Sequence, residues 1–560
     1  HFNDCCGEGS LSLAAKRLGL AFRDSLLVVG LHSPSGWVLE LNQMLPANIL
    51  FSAYHSAEQL SVACADLLWS PSRYLLDWVA ARGFELPPQT FVQQYALPRP
   101  NANDMAAAAD GGATPPPREI VFFGRLEERK GLRLFCNAVH VLRDELAQRG
   151  TTITFLGKAE RCGGMPSLDY IAHRAASWTF PINTITDLGQ PEALDYLRRG
   201  GTLAVMPSPF DNSPCTIYEA LSCGIPFLAA RTGGIPELID PADHEHVLFE
   251  HATESLVRAL RDALDCGGWV ARASVPQEET RRRWMALHHG WRDFLQPRAA
   301  AAAPPSVAVI VDHAAGSRLD LTIDSLLKCA AVKRFVVLNR GGETLPLDNI
   351  DLMTTDPDGV VTALEAIVED VVLLIHSGAA VVPNAFEAML AALEPGIDGL
   401  IPAGRVFEKN GSRIVPPLGG SAAFSLFEGV TFTGAMLVRR QALVAARKGR
   451  SLALESPFLG LSDFCVAHGG RIWPYPEAVI ERSAESRINV KNALPARVAA
   501  YGGASANDHY YMLAVGYGAA NEERRSSLKR EVAAAALELG LASAVRIGSW
   551  GWRRLRRWIR

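Results

Sequence analysis

Short apolar runs alternate with stretches of helical spacing between residues 118 and 240. The run Glu119–Phe123 is followed by Gly131–Gln148, in which apolar residues recur every three or four positions. Those positions are Leu132, Phe135, Val139, Leu142 and Leu146. Further strands are predicted at Thr152–Leu156, Thr184–Leu188, Leu203–Met206 and Pro226–Ala229, and a helix at Ser167–Ser177. This alternation favours an α/β fold with a parallel sheet, whose ligands bind in the loops that follow the strands.

Two stretches without periodicity divide the chain. Asn101–Pro117 and Pro297–Ser306 are rich in alanine and proline, which is typical of solvated connectors. The sequence therefore predicts separate domains at 1–100, 118–296 and 307–500, linkers at 101–117 and 297–306, and a helical tail at 501–560. Because the first residue, His1, already lies within what looks like a folded domain, we expect that domain to be incomplete at its N-terminus.

Composition narrows the classes of function. The 560 residues carry a net charge of −4, which argues against a general nucleic-acid partner. The ten cysteines are scattered and form no C-x-x-C pair, as expected of reduced thiols in a cytoplasmic protein without a structural metal site. No apolar run reaches the roughly 18 residues of a membrane-spanning helix.

The loop after the first strand, Gly124–Gly131, carries a candidate anion site. Gly124 permits a tight exit from the strand. Arg125 and Lys130 place two cations beside a helix N-terminus, which itself favours anions, so a diphosphate would fit. The alternative interpretation is a solvated charged turn, because two glutamates and a further arginine share the loop.

The loop before the predicted helix Cys215–Ser222 carries two candidate carboxylates. Ser213 is a good N-cap and Pro214 a good first helical residue. Asp211 and Glu219 could flank an anion at this N-terminus, one accepting from hexose hydroxyls and the other from a ribose. A helix-cap acid beside an ordinary surface acid is the plainer alternative. A hydrolase pair of carboxylates is a second alternative, although the neighbouring diphosphate site argues against it.

Two weaker signals complete the candidate site. The loop Arg231–Glu237 contains two adjacent glycines, which would allow a ligand to approach the backbone closely or simply form a turn. His32 follows an apolar strand and precedes a Ser-Pro-Ser-Gly loop. A lone histidine in such a position has a structural or an active-site role.

Residues 118–240 resemble the retaining glycosyltransferases of group 1, also called family 4. The resemblance rests on the strings VFFGRLEERKG and PSPFDNSPCTIYEALSCGIPFLAARTGGIPELI, which occur in the family's order and spacing. It implies the GT-B architecture of two facing Rossmann-like domains, with no metal and no cofactor besides the nucleoside diphosphate sugar donor. Residues 1–100 resemble the second half of that family's acceptor domain.

The resemblance also implies roles for individual residues. Asp211 would contact the transferred sugar, Glu219 the ribose, and the pair Arg125 and Lys130 the diphosphate. His32 would lie near the transferred sugar, which makes His32 and Asp211 the candidate catalytic residues. The implied donor-binding set is Gly124, Arg125, Lys130, Asn212, Ser213, Pro214, Cys215 and Glu219. Asp211 departs from the family, which usually has the longer glutamate, and this leaves the donor preference open.

Residues 307–500 resemble the group 2, or family 2, glycosyltransferases of GT-A fold, but in degenerate form. Where that family holds a divalent cation with Asp-x-Asp, this chain has His376 and Gly378. Asp463 remains near the expected catalytic base, while Gly460 and Leu461 replace the acidic pair. Hard cations need oxygen ligands, so we expect no metal-dependent transfer here.

The sequence thus predicts a retaining, metal-independent glycosyltransferase that moves a sugar to a glycan or lipid-linked acceptor, in surface polysaccharide synthesis. Two alternatives stay open: a glycan-binding or scaffolding protein with decayed catalytic centres, and a bifunctional enzyme with an active third domain. The tail Val545–Arg560 has six arginines, three tryptophans and no acid, which is typical of peripheral contact with an anionic membrane or of a solvated basic end. We expect a cytoplasmic location or one at the inner face of the membrane.

Overall fold

A computed structural model describes residues 1–42, 50–97, 111–295, 304–314, 316–339, 352–355, 364–417, 434–447 and 471–483. These residues divide into two compact units. The central unit comprises residues 30–33 and 67–294, and the terminal unit comprises the described residues of 1–29, 34–66 and 295–560. Several predicted features lie outside the described residues, namely residues 101–110 of the first linker, Gly460, Leu461 and Asp463 of the family 2 resemblance, and the basic tail Val545–Arg560.

The chain is an α/β protein with parallel sheets. Its described strands are β1 (Phe2–Asn3), β2 (Val28–Gly30), β3 (Leu67–Ser70), β4 (Thr90–Val92), β5 (Gly112–Ala113), β6 (Glu119–Phe123), β7 (Thr152–Leu156), β8 (Arg161–Cys162), β9 (Met165–Pro166), β10 (Ile182–Ile185), β11 (Thr202–Met206), β12 (Phe227–Ala230), β13 (Leu248–Phe249), β14 (Trp269–Val270), β15 (Val307–His313), β16 (Val332–Asn339), β17 (Leu352–Thr355), β18 (Val371–His376), β19 (Ala379–Val381), β20 (Gly399–Glu408), β21 (Gly411–Val415), β22 (Ala435–Arg439) and β23 (Ile472–Ser483).

The described α-helices are α1 (Ser10–Arg17), α2 (Ser35–Leu41), α3 (Leu50–Cys64), α4 (Arg73–Ala81), α5 (Leu132–Val141), α6 (Arg143–Arg149), α7 (Ser167–Ala175), α8 (Gln190–Leu197), α9 (Cys215–Ser222), α10 (Ile235–Leu238), α11 (His244–Val247), α12 (Thr253–Cys266), α13 (Gln277–His289), α14 (Leu319–Leu326), α15 (Pro383–Ala391) and α16 (Arg440–Arg447). Within the described residues, no helix is both long and apolar enough to cross a membrane.

The central unit is built on a six-stranded sheet in the order β10-β7-β6-β11-β12-β13, with every pairing parallel. Apolar side chains of these strands enter two buried clusters, one on each face of the sheet. In strand β6, for example, Ile120 and Phe122 pack in one cluster and Val121 packs in the other. This alternation explains why the strand is apolar throughout, since both faces of a parallel sheet are covered.

Most predicted elements of the central unit are confirmed. The strands β6 and β7 and the helix α9 have the predicted bounds, and the strand predicted at Thr184–Leu188 begins and ends earlier, as β10. The helix predicted over Gly131–Gln148 is instead two helices, because Leu142 leaves helical geometry at φ −87° and ψ 2°. All five predicted core side chains of this stretch are nevertheless buried.

Smaller elements complete the central unit. Strands β3 and β4 pair in parallel, and β5 pairs antiparallel with β14. Strand β5 falls within the predicted linker 101–117, so that linker contains paired backbone at its C-terminal end. The residues Gly30–Ser33 join this unit, and Leu31 donates its N–H to the Trp69 carbonyl at 2.8 Å.

The terminal unit contains a second, mixed sheet in the order β17-β16-β15-β18-β22-β20-β23-β19, with β21 paired to β20. The strands β17, β16, β15 and β18 are parallel to one another, and β22 is antiparallel to β18. Its core packs α14 and α15 against apolar side chains of these strands. Whether this sheet is a family 2 domain stays a prediction, as do the domain boundaries drawn from the sequence.

Candidate active site

The candidate site lies where the strands β6, β11 and β12 end. Carboxyl ends of neighbouring parallel strands meet at one edge of a sheet, and β6, β11 and β12 are adjacent. The three loops singled out from the sequence therefore come together at that edge. The contacts between these loops, rather than the sequence spacing, determine which of their side chains could bind the same ligand.

Gly131 allows the first two loops to touch. It ends the short 3-10 turn Glu128–Lys130 with a φ of 83°, in the left-handed region that favours glycine. A Cβ at this position would lie only 1.9 Å from the Pro207 carbonyl oxygen. A side chain here would therefore push the loop that carries Lys130 away from the loop that carries Asp211.

Lys130 and Asp211 form an ion pair across this contact. The Lys130 ammonium donates to Asp211 Oδ2, and their side chains are 17% and 11% exposed. The structure thus brings these two predicted site residues into contact, while their roles in donor binding stay a prediction. Each charge is thereby offset by the other.

The third loop packs on the second rather than leaving a gap for a ligand. Gly234 donates its N–H to the Asp211 carbonyl at 2.9 Å. A Cβ on Gly233 would lie 2.0 Å from that same oxygen, and one on Gly234 would lie 1.9 Å from the Asn212 carbonyl. The two glycines thus permit a close approach of protein backbone, and the approach of a ligand to this loop stays a prediction.

Asn212 is fixed by its side chain. Its carboxamide oxygen accepts from the Ser72 hydroxyl, and its Nδ2 donates to the His32 carbonyl at 3.1 Å. Asn212 is buried, so these bonds satisfy polar atoms that would otherwise be costly. The expected role of Asn212 in donor binding stays a prediction. The structure adds a side-chain link between the loop that carries Asp211 and the segment that carries His32.

Helix α9 has the predicted bounds, but its N-cap differs from the prediction by one residue. Pro214, with φ −71° and ψ 130°, occupies the N-cap position, and Cys215 is the first helical residue and is exposed. Ser213 makes no cap, because its hydroxyl lies 2.8 Å from the Tyr218 hydroxyl and is buried with it. The proline leaves no N-cap side-chain bond, so the N-terminal amides of α9 receive no cap from a side chain.

Glu219 stands half-buried on the second turn of α9. Burial raises the pKa of its carboxyl, and a hydrogen bond from the Gln190 carboxamide opposes this shift. Gln190 begins α8, after the strand β10, and was not predicted as a site residue. The only sequence signal was its place in a loop after a strand, which many residues share.

The two cations of the first loop have different surroundings. Arg125 is 45% exposed, and its guanidinium lies 3.1 Å from Glu127, in keeping with a solvated charged turn. Gly124 has a φ of 148°, and its N–H donates to the Leu156 carbonyl at 3.0 Å. The loop thus leaves β6 by a tight turn. Of its two cations, Lys130 rather than Arg125 contacts the loop that carries Asp211.

His32 lies in a partly buried aromatic environment. Its Nδ1 is 2.8 Å from the Tyr95 hydroxyl, and the Trp69 ring meets it edge-on at 5.1 Å. Burial lowers the pKa of the imidazole. Neither aromatic residue was predicted, because they lie far from His32 in sequence.

In the terminal unit, His376 is the last residue of β18, and Gly378 lies two residues after it. His376 Nδ1 lies 3.2 Å from an Asp312 carboxylate oxygen, and Gly378 has a φ of 84°. Across the described part of the chain, no three histidine, cysteine or acidic side chains are grouped as a metal would require.

Comparison with known proteins identifies the central part of the chain. A family model described as "Glycosyl transferases group 1" matches residues 117–266. This stretch is therefore similar to a glycosyltransferase group 1 domain. It contains every donor-binding residue predicted from the sequence, from Gly124 to Glu219, so the predicted resemblance to group 1 is confirmed for this domain.

Curated relatives are glycosyltransferases too. The D-inositol 3-phosphate glycosyltransferase of Streptomyces avermitilis is 26% identical over 196 residues, which is 30% of this chain and 42% of that protein. Glycogen synthase 2 of Nitrosococcus oceani is 30% identical over 155 residues, which is 26% of this chain and 30% of that protein. The chain thus aligns with less than half the length of either relative.

A solved structure gives a weaker likeness. Sucrose-phosphate synthase from Thermosynechococcus elongatus aligns with 50% of this chain and 68% of its own, at 16% identity and a TM-score of 0.34. The group 1 domain and the curated relatives therefore carry the assignment as a glycosyltransferase homologue.

Proposed function

We propose that this chain is a retaining glycosyltransferase that transfers a sugar from a nucleoside diphosphate sugar to a glycan or lipid-linked acceptor without a bound metal. The observation that carries the proposal is the ion pair of Lys130 with Asp211 at the edge of the parallel sheet, within the group 1 domain. It places one cation and one carboxylate together where a diphosphate and its sugar would bind.

Charge is the main requirement of this reaction. The leaving diphosphate develops negative charge in the transition state, and a positioned cation stabilises it best in a site that excludes water. Lys130 is only 17% exposed, so its charge is little screened. When a donor binds, the lysine moves from Asp211 to the diphosphate, and Arg125 adds a second, more solvated charge.

The two carboxylates then have separate tasks. Asp211, released from Lys130, accepts from hydroxyls of the transferred sugar, and Glu219 accepts from the ribose. Asn212 keeps the Asp211 loop in place through Ser72 and the His32 carbonyl. His32, held by that same link, lies at the sugar side of the site and completes the proposed catalytic pair with Asp211.

For the sheet of the terminal unit we propose acceptor positioning rather than transfer. His376, where a metal-binding acid is expected, is paired with Asp312 at 3.2 Å. An imidazole in place of the expected acid removes oxygen ligands, which a hard cation prefers. A role in surface polysaccharide synthesis, at the inner face of the membrane, would fit a lipid-linked acceptor.

Two substitutions test the proposed donor site. We expect Lys130→Ala and Glu219→Ala each to lower transfer by about 100-fold or more, because each removes a group that stabilises the bound donor or the leaving diphosphate. Nucleoside diphosphate release would be measured with a panel of sugar donors and acceptors. Arg261→Ala, which breaks an exposed pair with Glu145, is the matched control for loss of a cation.

The outcome that rejects the proposal is near-normal turnover in both folded variants. Circular dichroism and the unfolding temperature would establish that both variants are folded. Loss of transfer in Arg261→Ala to the same degree would also reject it, because the effect would then follow total charge rather than the site.

A further inference from the structure

We propose that Tyr95 is a positioning residue that donates its hydroxyl proton to His32 Nδ1 and thereby keeps the imidazole proton on Nε2. The proposal deepens the proposed function and rests on it for the role of His32. Tyr95 belongs to the segment after β4, whereas His32 follows β2, so the sequence gives no sign of their contact.

The geometry fixes the imidazole on two sides. The Tyr95 hydroxyl lies 2.8 Å from Nδ1, and the two rings are nearly parallel, with an angle of 6° and centroids 5.9 Å apart. Trp69 meets the imidazole edge-on, at 5.1 Å and 77°. The third neighbour is Gly30, where a Cβ would lie 2.8 Å from Trp69 and 3.1 Å from His32 Nε2. The absence of a side chain at Gly30 therefore leaves space for the His32 imidazole.

The direction of the hydrogen bond follows from the two partners. A phenol hydroxyl is a better donor than acceptor, because its lone pair is delocalised into the ring. Burial lowers the pKa of His32, which favours the neutral imidazole with one nitrogen free of a proton. The nitrogen that faces Tyr95 is Nδ1, so it accepts and the proton resides on Nε2.

Tyr95 is itself held in place by the donor-binding helix. Its backbone N–H donates to the Tyr218 hydroxyl at 3.1 Å, and their rings meet edge-on at 5.9 Å. Tyr218 lies on α9 directly before Glu219, and its hydroxyl is also 2.8 Å from the Ser213 hydroxyl. The position of Tyr95, and through it that of His32, thus depends on α9, the helix that carries Glu219.

A fixed tautomer matters for a neutral histidine. Only Nε2–H can then donate to an oxygen of the transferred sugar, and no rearrangement is needed during the reaction. A hydrogen bond to one ring nitrogen of a histidine commonly fixes whether the other nitrogen carries the proton. Loss of the Tyr95 hydroxyl would therefore lower the rate of transfer more than the affinity for donor.

The test uses Tyr95→Phe, which removes the hydroxyl and keeps the ring. Tyr196→Phe is the matched control, because it removes a hydroxyl that donates to Glu119 at 2.5 Å, away from His32. We expect kcat to fall about tenfold in Tyr95→Phe, as for the loss of one neutral hydrogen bond, with the donor Kd changed by no more than about twofold. Tyr196→Phe should keep both values.

A second readout does not depend on transferase activity. In the full chain labelled with 15N-histidine, the His32 signals are assigned by their loss in His32→Gln. Their shifts should show Nε2–H in the unaltered chain and a mixture of tautomers in Tyr95→Phe. Unchanged shifts, or a kcat equal to that of Tyr196→Phe, would overturn the inference. Full activity of His32→Gln would instead reject the role of His32 in the proposed function.

Discussion

Gly131→Ala is the substitution that tests most directly how the candidate site is assembled. Gly131 has a φ of 83°, and a Cβ there would lie 1.9 Å from the Pro207 carbonyl oxygen. A left-handed conformation costs an alanine about 1–2 kcal/mol. Moving the Pro207 loop out of contact adds about 1–3 kcal/mol, as in other overpacked sites.

Gly150→Ala is the matched control. Gly150 also has a positive φ, of 64°, but a Cβ there would meet nothing within 4 Å. It should therefore show the conformational cost alone. About 1 kcal/mol lowers the unfolding temperature of a unit of this size by about 2–4 °C. We therefore expect falls of about 4–20 °C for Gly131→Ala and about 2–8 °C for Gly150→Ala.

Calorimetric unfolding of the full chain and titration with donor would measure both effects. Because Lys130 precedes Gly131, the shift of the loop should also weaken donor binding by about tenfold or more, whereas Gly150→Ala should bind donor normally. Equal unfolding temperatures for the two variants would refute the reasoning. So would normal donor binding by Gly131→Ala, since the loop contact would then be unnecessary for the site.

Three further predictions follow from the charges. Because burial raises the pKa of Glu219, donor affinity should fall on acidification at a higher pH than it would for an ordinary glutamate. The donor affinity of Glu219→Gln should show no such step. Parallel curves of donor affinity against pH for the two proteins would contradict this. Burial raises the pKa of Glu58 from 4.5 to about 7, so the folded chain loses stability as the pH rises through that interval. The unfolding temperature of Glu58→Gln, measured relative to that of the unaltered chain, should therefore rise between pH 5 and 8. A constant difference between the two unfolding temperatures would refute the assignment. In the full chain with Lys130→Ala and Glu219→Ala combined, manganese or magnesium should restore no transfer, and metal-stimulated transfer abolished by a chelator would show that the terminal unit is active.

The sequence predicted those parts of the fold that depend on local pattern. The strands β6 and β7 and the helix α9 have the predicted bounds, because each is a continuous apolar run or has helical spacing between clear breakers. The meeting of Lys130 with Asp211 was also predictable, because loops at the carboxyl ends of adjacent parallel strands share one edge. The break at Leu142 was not, since the same apolar spacing continues through it.

The side chains that hold the site in place could not be predicted. Ser72 bonds Asn212 and Tyr95 bonds His32, in each case across a long stretch of chain. No periodicity relates such pairs, because their proximity depends on how elements pack rather than on how each element forms. Ser213 shows the converse, for its residue type favours a helix cap, while the nearby Tyr218 hydroxyl takes the bond instead.

Calorimetric titration of the full chain with nucleoside diphosphate sugars, in the presence of a chelator, tests the central claim most directly. We predict that one donor binds at a single site without metal, that Lys130→Ala weakens this binding by about tenfold or more, and that Arg261→Ala leaves it unchanged. Binding that needs manganese or magnesium, equal affinity in Lys130→Ala, or no binding of any donor would contradict the account.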